Sequence, residues 1–476
     1  MLWTCLHFPD LCLQAFQRGA VDASPAAVGS LSNRPDVLAC NSRAADLGLA
    51  PGMSVAAALA LAPDLMIHLR DESAENGALK AIATWAGQFT PTVSIASPHG
   101  VLLEVGTTLA YFRGLANLVN RMESGARDLG WDAVLATAPT PAGALLLARA
   151  GLQVHTRDGG RLKEHLNALP LAFLENAQPS LDVFHILGIS TIEDLLKQPA
   201  EGVARRFGQA LLDEIRRAAG DLPDPVPIFV PPECYKNRIE LPSPVIDCEA
   251  LLFPLHRLVM ELAGFLRARG HGVTRLTVEF VHEDATPTRL AIGLACTRDT
   301  EHILRVLRER LRRETLPDRV EAVVLESSEV APLNSTNQEF FPGAVKAIEN
   351  HTQLIEKFCA RLGEDAVRKL QPREDHRPEL AWCHVEIDSP PGKISNAAPA
   401  IGAARPLWLL PEPRRLPGNA AAHSLTFVSG PECIEAGWWD GGDLARDYFI
   451  AHNTRGETCW IYRDRQGQWF LHGLFA

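Results

Sequence analysis

Apolar positions fall in short runs whose spacing changes along the chain, from alternation to a helical period and back. Leu2 to Leu6 is a strand-length apolar run, and Leu11 to Phe16, after Pro9 and Asp10, opens a helix. Val37 to Cys40 reads as strand, Ser42 to Leu47 as a short helix, Gly48 to Gly52 as a turn, and Ser54 as the cap of an Ala-rich helix ending before Pro63. VSIASPHGVLLEV, residues 93–105, predicts two short strands joined by a Ser-Pro-His-Gly turn, and DAVLATAP near 135 predicts another strand.

Residues 161–220 change to helical spacing, with Leu181, Phe184, Leu187 and Ile192 recurring around the turn Leu187 to Thr191. A Pro-rich connector runs from Pro223 to Pro232. Alternation in RLTVEFVHED and AIGLACT then gives strands, and HILRVLRERLRRE gives a basic amphipathic helix. From about 333 the chain is first polar, then Pro-rich and Trp-rich, and it contains no internal repeat. The pattern predicts an α+β multidomain protein.

Composition narrows the class. A chain of 476 residues exceeds one ordinary core, and 46% apolar with 22% charged residues describes a packed globular protein. No apolar run reaches the length of a membrane span and the first residues do not read as a signal peptide, so a cytoplasmic location without membrane contact is expected. Ten cysteines stand singly, without C-x-x-C pairs or metal-finger histidines, and read as reduced small hydrophobes; no metal or other cofactor is expected. The net charge of −11 excludes a protein that coats nucleic acid by bulk attraction, so any DNA contact must come from a local patch.

The order of these elements resembles the Y-family translesion DNA polymerases over roughly residues 1–332. NSRAADLGLAPGMSVAAALALAPD resembles the family's fingers motif, with Arg43 at the triphosphate-binding arginine and Cys40 where a tyrosine is usual. ATAPTPAGALLLARAG resembles a palm segment, with Thr140 or Pro141 at the usual Asn-Lys and Arg149 near the second lysine. The turn at Gly188 resembles the thumb hairpin. The resemblance implies a palm over residues 1–160 with fingers inserted at about 21–70 and a helical thumb at 161–225. A linker at 226–235, an α+β little finger at 236–332 and a second linker at 333–350 would follow. The tail pieces RPLWLLPEPRRL and GPECIEAGWWDGGDLARDYFIAH resemble the non-catalytic branch found in bacterial mutagenesis cassettes, and 351–476 would be a partner-binding region of uncertain fold.

Nucleotidyl transfer in this family uses two divalent metals held by carboxylates from the first palm strand and an adjacent hairpin. Where active relatives carry the first ligand, this chain places Phe8 or Pro9, and where they carry an Asp-Glu pair it places Ala96 and Ser97 or His99 and Gly100. Only Asp10 and Glu104 remain as nearby acids, so no catalytic residue is assigned and the expected protein is not an enzyme. An active translesion polymerase using Asp10 and Glu104 as displaced ligands is the alternative, and a plain DNA-binding assembly module without a clamp role is a third.

Contact residues follow from placement and from the resemblance. Gly188, with Arg205, Arg206, Arg216 and Arg217 nearby, would meet primer-template DNA from the thumb. Lys236, Arg238, Arg267, Arg269 and Arg275 would follow the backbone from the connector and the first little-finger strands. Arg43 is expected to keep a residual phosphate contact. Two adjacent aromatics in a polar stretch are expected to act as a docking peptide, and STNQEFFPG resembles a sliding-clamp motif with Phe340 and Phe341 as anchors and Asn337 and Gln338 at its polar start. Most tail tryptophans are expected in a core. RPLWLLPEP, whose prolines remove donors at close intervals, is expected to lie extended on a surface. Trp408, Leu409, Trp438 and Trp439 are the partner-binding candidates. The resemblance implies an error-prone C-family polymerase and an ImuA-like RecA-related protein as partners, with SOS mutagenesis and translesion synthesis as context.

Overall fold

The computed structural model of the chain describes residues 1–18, 24–32, 34–333, 354–387 apart from 356, 360, 364 and 365, and then 404–416 and 425–475. They form two units, Met1–Arg361 and Leu362–Ala476.

The first unit starts with β1 (Trp3–His7) and α1 (Leu11–Gln17). A small insert follows: β2 (Ala26–Gly29), β3 (Val37–Cys40), α2 (Ser42–Asp46), α3 (Val55–Leu61) and β4 (Met66–Leu69), whose strands order β3-β2-β4. Local chemistry sets the boundaries, since the side chains of Asn41 and Ser54 accept the amide N–H groups of Ala44 and Ala57 as N-caps. Then come α4 (Glu72–Ala86), β5 (Val93–Ala96), β6 (Gly100–Glu104), α5 (Leu115–Asp128), β7 (Val134–Ala138) and α6 (Pro141–Arg149). β1 lies inside a sheet of order β5-β6-β1-β7, antiparallel to both neighbours, so that Trp3 faces Glu104 and His7 faces Gly100.

Every residue of β1 is buried, because both faces of the sheet are covered. Alternation sends Leu2 and Leu6 to the core shared with Leu79, Leu118 and Trp131, and Trp3 and Cys5 to the core shared with Ala144 and Leu147 of α6. Phe8 continues the first set and packs on Trp131, with ring centroids 6.2 Å apart, while His7 belongs to the α6 side. The alternation thus decides which side chain can line a site beside α6.

Five helices follow: α7 (Gly159–Asn167), α8 (Leu181–Ile186), α9 (Ile192–Leu196), α10 (Ala200–Phe207) and α11 (Gln209–Ala219). Next are β8 (Tyr235–Val245), α12 (Leu252–Arg269), β9 (His271–His282), β10 (Thr288–Thr297), α13 (Thr300–Leu311) and β11 (Val320–Pro332), an antiparallel sheet of order β10-β9-β11-β8 with α12 and α13 packed on its core. α12 also packs on α4 so closely that a Cβ at Gly264 would come within 2.6 Å of Trp85. At that seam Arg18, 5% exposed, pairs with Glu261, 1% exposed. Glu261 also accepts from Tyr235 Oη and Asn237 Nδ2, and Arg257 donates to the Arg18 carbonyl.

The second unit pairs β12 (Lys369–Pro372) with β13 (Trp382–Val385). It then builds one antiparallel sheet from β14 (Trp408–Leu416), β15 (Thr426–Ala436), β16 (Leu444–His452), β17 (Thr458–Asp464) and β18 (Trp469–Leu474), in order β14-β18-β17-β16-β15. β14 is an edge strand whose register shifts between Leu409 and Arg414, which accommodates Pro411 and Pro413 without unpaired central donors. The region whose fold sequence left open is therefore a sheet, with Tyr448 stacked on Trp460 at 4.0 Å and its hydroxyl bonded to His472 at 2.7 Å. Among the described residues no helix is long and apolar enough to cross a membrane. The architecture as a whole is α+β and multidomain, as the sequence pattern predicts.

Candidate functional site

A cleft of about 400 Å³ opens where β1 ends, between the turn from β5 to β6, the end of α6 and the segment 172–178. Its lining is His7, Ala96, Pro98, His99, Gly100, Leu145, Arg149, Ala172, Phe173, Glu175 and Gln178. The His7 and His99 rings meet edge-on at 6.2 Å, and the Nδ1 atom of each is buried without a hydrogen-bond partner. Burial, then the His99 imidazole and the Arg149 guanidinium, push His7 down to about 4; burial likewise lowers His99. The cleft thus presents two imidazoles and a guanidinium over an Ala-Pro-Gly floor. Glu175, at the exposed rim, is the one carboxylate in the lining.

These residues do not fit a pair of divalent metals, and among the described residues no three His, Cys, Asp or Glu side chains converge as a metal set would. Sequence placed the first ligand position on Phe8 or Pro9. The structure instead ends β1 at His7, buries Phe8 completely on the opposite core and brings His7 to the cleft. The hairpin positions Ala96, His99 and Gly100 do line the cleft, and Ser97 is exposed in the turn between them.

The two remaining acids are held apart. Glu104 pairs in register with Trp3, four residues along β6 from the His7–Gly100 pair, a distance of about 13 Å at strand rise. Its carboxylate accepts from the amides of Leu2 and Gly106, both at 3.1 Å, so it ties the sheet to the following turn. Asp10 lies beyond the opposite end of β1 at the start of α1, its carboxyl raised by burial and by Asp132. One metal cannot bridge the two.

The predicted DNA contacts separate into two groups. Arg205 and Arg206 stand exposed in the last turn of α10 and Arg217 in that of α11, and none of the three forms an ion pair among the described residues; Arg216 reaches Asp213 at 3.7 Å. On the following sheet the cations are matched: Lys236 to Glu326 at 2.9 Å, Arg238 to Glu240 at 2.5 Å and Arg275 to Glu329 at 3.2 Å. Arg267 and Arg269, expected on the connector and first strands, sit in the last turn of α12, where Arg267 donates to Gln88 at 3.2 Å and Arg269 to the Pro232 carbonyl at 2.5 Å. Gly188 adopts φ 70° at the end of α8, where its amide and that of Ile189 close the helix on His185 and Phe184. The next helix start holds its own anion, because Thr191 and Asp194 form a capping box there. Arg43 is exposed on α2.

In the second unit Trp438 and Trp439 project as an edge-on pair 5.6 Å apart, 78% and 55% exposed. Arg377 lies over Trp439 at 5.7 Å, clamped by Asp375 and Asp440. Trp408 is exposed on the edge strand and Leu409 packs partly on the sheet core, whereas Trp460 and Trp469 are buried. Asn337, Gln338, Phe340 and Phe341 lie outside the described residues. Sequence reasoning missed His7 as a cleft residue and Arg18 and Glu261 as a buried pair. The alternation along β1 was the available signal for His7; nothing local foretells a partner 243 positions away.

Residues 12–149, from α1 to the end of α6, match the impB/mucB/samB (IMS) family model. Protein ImuB from two strains of Caulobacter vibrioides is 27% identical over 461 residues, spanning 90% of this chain and 100% of the relative. Similar solved structures include a Y-family DNA polymerase chimera of Dbh and Dpo4, 18% identical over 69% of this chain and 98% of the other, with TM-score 0.40. DinB from Sulfolobus solfataricus is 17% identical over 70% and 100%, with the same TM-score of 0.40. With the family domain spanning the segment that shapes the cleft and the likeness to ImuB covering 90% of the chain and so reaching into the C-terminal sheet, the chain is an ImuB-like protein with an α+β fold.

Proposed function

We propose that this chain is a non-catalytic, Y-family polymerase-like scaffold. It binds primer-template DNA and the sliding clamp and brings an error-prone C-family polymerase and an ImuA-like RecA-related protein to damaged DNA. The observation that carries the non-catalytic reading is the lining at the end of β1, where His7, His99 and Arg149 stand in place of metal-binding carboxylates. Without carboxylates as ligands, two Mg²⁺ ions have nothing to hold them at the reacting centre beside a triphosphate. The separation of Asp10 from Glu104 argues against the active-enzyme alternative. DNA contact is supported by the unmatched arginines of α10 and α11, and partner contact by the exposed Trp438–Trp439 pair.

Primer extension by the purified full chain with Mg²⁺ or Mn²⁺ is the direct test. No incorporation above a protein-free control is expected, and incorporation lost on Asp10→Asn or Glu104→Gln would overturn the reading. Clamp binding rests on the sequence of residues 335–343. Changing Phe340 and Phe341 together to Ala is expected to reduce capture by an immobilised clamp by at least about tenfold, the scale of one lost aromatic anchor. Undiminished capture would remove the motif.

A further inference from the structure

Loss of metal ligands leaves open what the cleft at the end of β1 now accepts. Its volume of about 400 Å³ falls within the roughly 300–1,000 Å³ of small-molecule sites. We propose that this cleft is a metal-independent anion site that takes a phosphate or pyrophosphate group, held by Arg149 with His7 and His99.

The chemistry of the lining points to an anion. Arg149 brings a planar fork of five N–H donors, of which one reaches the Phe173 carbonyl at 3.4 Å. Both imidazoles contribute N–H donors, and the two Nδ1 atoms without partners mark hydrogen-bonding capacity that the fold itself leaves unused. Ala96, Pro98, Gly100 and Leu145 give the walls beside these groups little polar surface, which strengthens the attraction between a guanidinium and an entering anion, and Glu175, the one carboxylate of the lining, stands at the exposed rim where water screens it.

The charges around the imidazoles give the site a pH signature. Arg149 and His99 face His7. His99 feels Glu75 and Asp10, which favour its charged form, and Arg70 and Arg149, which oppose it; Glu175 stands at the rim. Empty, the imidazoles are neutral at neutral pH, with His7 titrating only near 4. A bound dianion favours their protonated forms, so binding takes up protons and affinity rises as pH falls from 7 toward 5.

Like the scaffold reading, the proposal rests on the loss of metal ligands, but calorimetry without metal reads the anion site by itself, so its failure is distinguishable from a failure of that reading in primer extension. The test is calorimetric titration of the full chain with inorganic pyrophosphate in EDTA, at pH 7 and pH 6 and in buffers of different ionisation enthalpy. Saturable binding, tighter at pH 6 and accompanied by proton uptake, is expected. Arg149→Ala should weaken it by about tenfold or more, Arg149→Lys by less, and His99→Gln should abolish most of the pH dependence. His99→Gln is in a surface turn and keeps the test decisive if Arg149→Ala fails to fold. Competition by dATP without metal, or by a 5′-phosphorylated but not a 5′-hydroxyl oligonucleotide, would identify the source of the phosphate. No saturable heat, a requirement for Mg²⁺, or equal binding by His99→Gln and the parent would overturn the proposal.

Discussion

The helices α10 and α11 and the sheet that follows them both carry basic residues of the kind that grip a phosphate backbone, yet the two surfaces are not equivalent. On the helices Arg205, Arg206 and Arg217 are exposed and unpaired among the described residues. On the sheet Lys236, Arg238 and Arg275 each face a glutamate within 3.2 Å. A phosphate arriving at the sheet must displace a carboxylate or sit beside it, and one arriving at α10 meets no such competitor. Basic residues counted along a sequence overstate a DNA-binding face wherever the fold sets acids beside them, which matters here because the chain is acidic overall.

The contrast presupposes that the sheet is held in place, and that rests on the seam between α12 and α4. The largest expected effect is therefore on stability. Glu261→Ala leaves Arg18 buried and uncompensated, and removing one partner of a buried pair costs about 3–5 kcal/mol. Denaturant unfolding of the full chain should show this loss, whereas Glu326→Ala, at an exposed pair, should cost less than about 1 kcal/mol. Equal costs would mean that the seam is not the anchor it looks to be.

The next effect concerns DNA. Arg205→Ala with Arg206→Ala should weaken primer-template binding and reduce the slope of log affinity against log salt by about 2, since each lost phosphate contact removes about one unit. Lys236→Ala with Arg275→Ala should change the slope by less than about 1, because each cation already has a carboxylate. A larger change from the sheet pair than from the helix pair would reverse the comparison.

These differences also measure what the sequence could reveal. Elements fixed by local chemistry were legible: the Ser54 cap and the turn between Ala96 and Gly100 follow from neighbours within a few residues, and the extended form of the Pro-rich stretch at Trp408 from its own prolines, whereas its place as the edge strand of a sheet did not show. The cleft was half legible. The carboxylates missing at the hairpin can be read directly, but which of His7, Phe8 and Pro9 reaches the site depends on where β1 stops pairing, which is set by β6 and β7. The pairing of Arg275 with Glu329 and of Lys236 with Glu326 depends on β11 lying beside β9 and β8, a relation between segments 54 to 90 positions apart that no local pattern encodes.

The smallest expected effect probes the acids themselves. If Glu326 and Glu329 mask the sheet, Glu326→Gln with Glu329→Gln removes two negative charges while keeping size and hydrogen-bonding capacity, and leaves Lys236 and Arg275 free. Exposed pairs of this kind contribute about 0–1 kcal/mol each, so releasing both cations should raise primer-template affinity only a few-fold at low salt. The informative quantity is the salt slope. Masked cations that become available steepen it by up to about 2, whereas a general drop in negative charge lifts affinity at low salt without adding phosphate contacts. A steeper slope would make the sheet a second DNA surface held in reserve. An unchanged slope would leave α10 and α11 as the phosphate-binding face of this unit and assign the sheet's glutamates to holding its strands in register.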